Sequence, residues 1–140
     1  MKKLIFALCC LLLAVSGMAQ TRRYYCEMIG RQVGFSREKK IVFDFGTTPP
    51  RDIWGDVEGK LELVDANGEV IRFKSMIEAL NFMSDKKWNF LQAYSSGIKE
   101  YELSHFLLYK DASSVDDAKE GLMTKEDWDK IHNSESNRRK

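Results

Sequence analysis

The chain has 140 residues, 22 Lys and Arg against 21 Asp and Glu, and a formal net charge of +1. That length suits one domain around one core. A charge so near neutral excludes the concentrated basic surface that a polyanion requires, so no nucleic-acid partner is expected.

Residues 1–19 have the three zones of a cleavable secretory signal. Met1-Lys2-Lys3 is basic, Leu4 to Val15 is apolar, and Gly17 and Ala19 put small residues at −3 and −1 of a cut before Gln20. The apolar stretch is shorter than the roughly 20 residues that span a hydrocarbon core, so no membrane span is expected once the signal is removed. A lipid-anchored cysteine is disfavoured, because Phe6, Ala7 and Leu8 put no pair of small residues directly before Cys9 or Cys10. The expected mature chain, Gln20–Lys140, is exported to the periplasm or beyond and carries a net charge of −1. It keeps one cysteine, Cys26, inside the strand-like run Tyr24–Ile29. One thiol forms no internal bridge, so Cys26 is read as a small buried hydrophobe and stability must come from packing.

The composition predicts strands at Tyr24–Ile29 and Ile41–Phe45, joined by a polar connection containing Gly34. Thr47 to Gly59 is a long loop stiffened by Pro49-Pro50. Leu61–Val64 and Val70–Phe73 then flank Asn67-Gly68, which predicts a strand hairpin. Ser75-Met76-Ile77-Glu78 matches a capping box, opening a helix over 76–86 whose apolar stripe is Ile77, Leu80 and Met83, with Met76 and Ala79 beside it. Trp88–Tyr94 and Leu103–Tyr109 return to strand composition. The expected fold is α+β, a single mainly antiparallel sheet in the order β-β-β-β-α-β-β packed against one helix, filling residues 20–110. Residues 111–140 form a polar extension, with a short helix near 124–132 capped by Thr124 and then a loose tail.

These segments together resemble a set of small exported proteins of unknown function from Gram-negative gut anaerobes. The shared runs are Met18-Ala19-Gln20, Tyr25–Gly30, Val42–Gly46, Phe73–Met83, Trp88–Tyr94 and His105–Lys110. More distantly, the helix followed by a Trp-led strand is similar to an uncharacterised domain with a Gly-Trp-Glu-Leu signature, where this chain has Lys87-Trp88-Asn89-Phe90. The resemblance implies the element order and export. It assigns no reaction, ligand or site residue.

No cofactor or metal is expected. Asp65-Ala66-Asn67-Gly68 opens like a calcium loop, but the twelfth position, Met76, cannot supply the bidentate carboxylate. His105 and His132 are the only histidines, too few for recognisable zinc-ligand spacing. His105 reads as a strand residue on the wetter face, with Asp44 as the acid to seek beside it were it to move protons. No Gly-x-Ser-x-Gly elbow is present, and pairings of Ser95, Ser96 or Ser104 with a histidine lack a sequence signal. Trp88, Phe90 and Tyr94 alternate along one strand, which predicts a core-facing row. On the proline-stiffened loop, Trp54 with Arg51 and Asp52 is the candidate ligand or partner contact, set against the simpler reading in which Ile53 and Trp54 fold back to cover one end of the sheet. The leading expectation is an exported non-enzymatic module that binds a partner or self-associates. The alternatives are a small hydrolase using carboxylates among Asp44, Asp52 and Asp56, or a carbohydrate- or peptide-binding module acting through Trp54.

Overall fold

The computed structural model describes residues 20–32, 39–46, 58–98 and 101–138. The signal expected over residues 1–19 and the loop expected to carry Arg51, Asp52, Trp54 and Asp56 lie outside these residues. The strands are β1 (Arg22–Gln32), β2 (Lys39–Asp44), β3 (Asn89–Ile98) and β4 (Tyr101–Ala112). Among the described residues they form one antiparallel sheet in the order β2-β1-β4-β3. The helices are α1 (Met76–Asp85), α2 (Val115–Ala118) and α3 (Lys125–Arg138), with a 3-10 turn at Glu58–Lys60. The fold is α+β with a single antiparallel sheet, as the composition predicts.

Side chains alternate across the sheet, so one face collects Cys26 and Met28 of β1, Ile41 and Phe43 of β2 and Leu108 of β4. Met76, Ala79 and Met83 of α1 pack onto that face together with Phe45, Phe73 and Trp88. Burying each large group here contributes about 2 kcal/mol. Gly30 lets α1 approach closely, because a Cβ at that position would sit 2.2 Å from Met76 Sδ. The Cys26 thiol is buried in this core, and burial pushes its pKa well up, as suits a small hydrophobe rather than a nucleophile. The helix stripe is rotated from the predicted one: Ile77 is 57% exposed, and Met76 takes its place against the sheet.

Ser75 caps α1 by accepting a hydrogen bond from the Glu78 amide at 3.1 Å. The Glu78 carboxylate reaches back to the amide of Lys74 at 2.5 Å, one residue earlier than a capping box requires. At the other end, the amides of Lys86 and Trp88 donate to the Met83 carbonyl and that of Lys87 to the Ser84 carbonyl. Lys87 takes a left-handed φ of 66° to close this turn. The reversal aims Trp88 into the core, where it is 2% exposed and lies 5.6 Å from the Phe45 ring.

The hairpin predicted at 61–73 forms its turn but not its two strands. The Asp65 carboxylate accepts from the amides of Asn67 (2.8 Å) and Glu69 (3.0 Å), and Gly68 supplies a φ of 81°. Next to the turn the arms pair at the Val64–Val70 bridge, with the Asp65 amide donating to the Glu69 carbonyl and the Ile71 amide to the Leu63 carbonyl, each at 2.9 Å, and beyond that they diverge. The Leu61 carbonyl accepts from the Phe43 amide at 3.0 Å, and Lys39 bridges Phe73, so this segment covers the outer edge of β2. On its other side, the Glu62 carbonyl accepts from the Lys125 amide at 2.8 Å, and Val64 donates to the Met123 carbonyl at 2.9 Å. The short pairing beside the turn is not extended, because the remaining backbone groups of the arms go to β2 and to residues 123–125, so the sheet has four strands where the sequence predicts six.

The C-terminal extension is docked and more helical than expected. Thr124 Oγ1 caps α3 by accepting from the Asp127 amide at 3.2 Å, and the helix continues to Arg138 instead of ending near 132. Ion pairs one helical turn apart, Lys125–Asp129 and Glu126–Lys130, support a face with little apolar surface. Trp128 seats its ring against the 65–69 turn, where a Cβ on Gly68 would lie 2.5 Å from the indole.

Candidate functional site

The sheet face opposite α1 carries the one constellation with catalytic geometry among the described residues. Its centre is His105 on β4, an inner strand. His105 pairs with Ile29 on β1 and with Tyr94 on β3. Glu27 and Ser96 each stand two residues from those partners, so the period of two brings all four polar side chains to one face.

His105 is 8% exposed, and both of its ring nitrogens are engaged. Nδ1 lies 3.1 Å from Glu27 Oε1, and Nε2 lies 2.6 Å from Ser96 Oγ. The Tyr94 ring stacks on the imidazole with centroids 4.5 Å apart and planes 6° apart, and its hydroxyl donates to the same Glu27 oxygen. That hydrogen bond to the carboxylate, reinforced by partial burial and the nearby negative charge, raises the Tyr94 pKa above its ordinary value. The proton order follows from donor chemistry. An ionised Glu27 only accepts, so Nδ1 carries the hydrogen; Nε2 of the neutral ring is then an acceptor, and the Ser96 hydroxyl donates to it. Carboxylate, imidazole and hydroxyl thus stand in the order of a Ser-His-acid relay.

Of the residues singled out from sequence, His105 is central, but it is buried rather than on a wet face. Its acid is Glu27 and not Asp44. Asp44 Oδ1 accepts from the Gly46 amide at 2.7 Å and closes the turn after β2. Trp54, Arg51 and Asp52 lie outside the described residues, as does Asp56. His132 serves α3, stacking on Trp128 with centroids 3.9 Å apart while its Nδ1 donates to the Trp128 carbonyl at 2.9 Å. The expected core-facing row of Trp88, Phe90 and Tyr94 is broken. Trp88 alone turns inward, whereas Phe90 (47% exposed) and Tyr94 (46%) emerge on opposite faces. A register shift between Phe90 and Gln92 leaves Leu91 as an extra residue that inverts the alternation.

Two further features lie outside this cluster. Arg23 and Asp111 pair through two hydrogen bonds of 3.0 and 3.2 Å, with the guanidinium 4.1 Å over the Tyr109 ring. A groove of about 370 Å³ between the 65–69 turn, α1 and α3, lined by Val64, Ile71, Phe82, Lys86 and Trp128, shares no residue with the His105 cluster. Among the described residues, no helix is long and apolar enough to cross a membrane, and no three His, Cys, Asp or Glu side chains are grouped as metal ligands. Comparison with family models, curated proteins and solved structures returned no match for this chain.

Proposed function

We propose that the mature chain is an exported module that associates with a second copy of itself through the outer edge of β3. The observation that carries this reading is the character of that strand. From Asn89 to Ile98 it contains no charged residue and no proline, and residues 89–97 are exposed throughout. Its described hydrogen-bonded partner is β4 alone. Natural edge strands are ordinarily blunted by charge, proline or a covering segment, because a bare edge templates further pairing. The opposite edge follows that rule: β2 begins with Lys39-Lys40 and is overlaid by the 61–73 segment. The Leu91 bulge interrupts β3 near its start, but from Gln92 to Ile98 the register is unbroken.

A second copy is the occupant that fits best. An antiparallel self-pair is two-fold symmetric, so a charge near its axis would face its own copy. An uncharged strand escapes that repulsion. Export is supported by the basic start, short apolar run and small residues of positions 1–19.

Light scattering coupled to size exclusion on Gln20–Lys140 tests the association. The expected mass is twice that of one chain, falling to a single chain in Ser95→Lys with its circular dichroism unchanged. A strictly monomeric wild type over a hundredfold range of concentration would discard the reading. Intact mass of the secreted product, beginning at Gln20, tests export separately.

A further inference from the structure

We propose that Ser96 is a nucleophile toward carboxylic esters, with His105 as its general base and Glu27 as the positioning residue that holds the imidazole. This goes beyond self-association and rests on a different observation, the Glu27–His105–Ser96 chain of hydrogen bonds on the sheet face. Nucleophilic serines are inert as free hydroxyls. They become reactive when a hydrogen-bonded base is itself oriented by a third group. Here the base is fixed from three directions: Glu27 at Nδ1 (3.1 Å), Ser96 at Nε2 (2.6 Å), and the Tyr94 ring stacked on its plane. His105 is therefore held in the tautomer that accepts the serine proton.

The step balances without a cofactor. Ser96 Oγ attacks the ester carbonyl carbon as its proton moves to His105 Nε2. The bond from that carbon to the alcohol oxygen breaks, and the departing alkoxide takes the proton from the imidazolium. Water then attacks the acyl-Ser96 carbon and passes a proton to Nε2. The bond to Ser96 Oγ breaks, that oxygen recovers a proton, and a carboxylic acid is released. General-base help from a placed histidine is worth roughly 10²–10⁴-fold. Ser96 stands on an exposed strand rather than in a closed pocket, so the substrate class is an ester that approaches an open, aromatic-lined face beside Tyr94.

Association and nucleophilicity use different parts of β3. Pairing uses backbone groups in the plane of the sheet, whereas the Ser96 side chain leaves that plane. The test treats Gln20–Lys140 with a fluorophosphonate ester, whose P–F bond is exchanged for a bond to the attacking oxygen with loss of fluoride. One adduct per chain, mapped to Ser96 by peptide mass, is expected, with a labelling rate at least 100-fold lower in His105→Gln and unchanged within about twofold in Gln92→Ala. Adduct formation should be absent in Ser96→Ala. No adduct on the wild type, an adduct on another residue, or an equal rate in a folded His105→Gln variant would overturn the proposal. Because the readout is covalent mass, it is independent of whether the chain is one copy or two.

Discussion

Lys87 occupies a backbone conformation that glycine adopts freely and lysine does not. Its φ of 66° closes the C-terminal turn of α1, and a side chain in that region costs roughly 1–2 kcal/mol. Replacing it returns that strain but gives the unfolded chain more freedom to lose, which offsets part of the gain. Lys87→Gly should therefore stabilise the domain by about 1 kcal/mol, read as a higher urea midpoint with an unchanged slope. A lower midpoint would mean that the lysine side chain contributes more than its backbone costs.

At the same scale lies the limit of what single residues disclosed. His105 stood out because the chain has only two histidines. Glu27 was visible as a lone carboxylate within the apolar run Tyr24–Ile29, and Ser96 as one serine among several. Nothing local joins the three. They are 78 and 9 residues from one another across His105, and only the registers of β1 with β4 and of β3 with β4 align them. Asp44 was the wrong acid because its carboxylate is committed to its own turn.

Elements with local signals are legible in the sequence. The Ser75 cap, the helix that follows and the Asn67-Gly68 reversal each depend on residues within a few positions of one another. The arms of that reversal have strand composition but pair with each other only beside the turn, because tertiary demand divides the rest of their backbone between β2 and residues 123–125. Strand propensity describes a half-buried extended chain and does not say which neighbour it will meet. The cap itself is open to measurement. Ser75→Ala leaves the Glu78 amide without its acceptor and should cost about 1 kcal/mol in chemical denaturation. Because the change touches only the first turn, the sheet-face network and any Ser96 reactivity should remain as in the wild type.

For the molecule as a whole, Cys26 being a free thiol among the described residues, stability draws on packing and on carboxylates held in their charged form. Asp65, Asp111, Asp117 and Asp127 all titrate below their ordinary value of 3.8. Backbone amides of Asn67 and Glu69 hold Asp65 down, the Arg23 side chain holds Asp111, and Ser113 holds Asp117. For Asp127, desolvation acts in the opposite direction, but hydrogen bonds from Lys119 and Thr124 outweigh it. Each group binds its proton more weakly folded than unfolded. The resulting stability is present above about pH 4 and is withdrawn as pH falls through the lowered values. Thermal unfolding should therefore show a constant midpoint from pH 7 to 5 and a decline below pH 4. Because Asp127 joins the α3 cap to Lys119, a probe on Trp128 should respond first.

The hydrogen bond from Phe43 to Leu61 also has a consequence for stoichiometry. A ribbon with two uncovered margins adds units at both, and its growth has no natural end. Overlay of the β2 margin leaves, among the described residues, a single place for addition, so under the association proposed above, joining two molecules would consume both available sites and the pair would close instead of extending into a fibre.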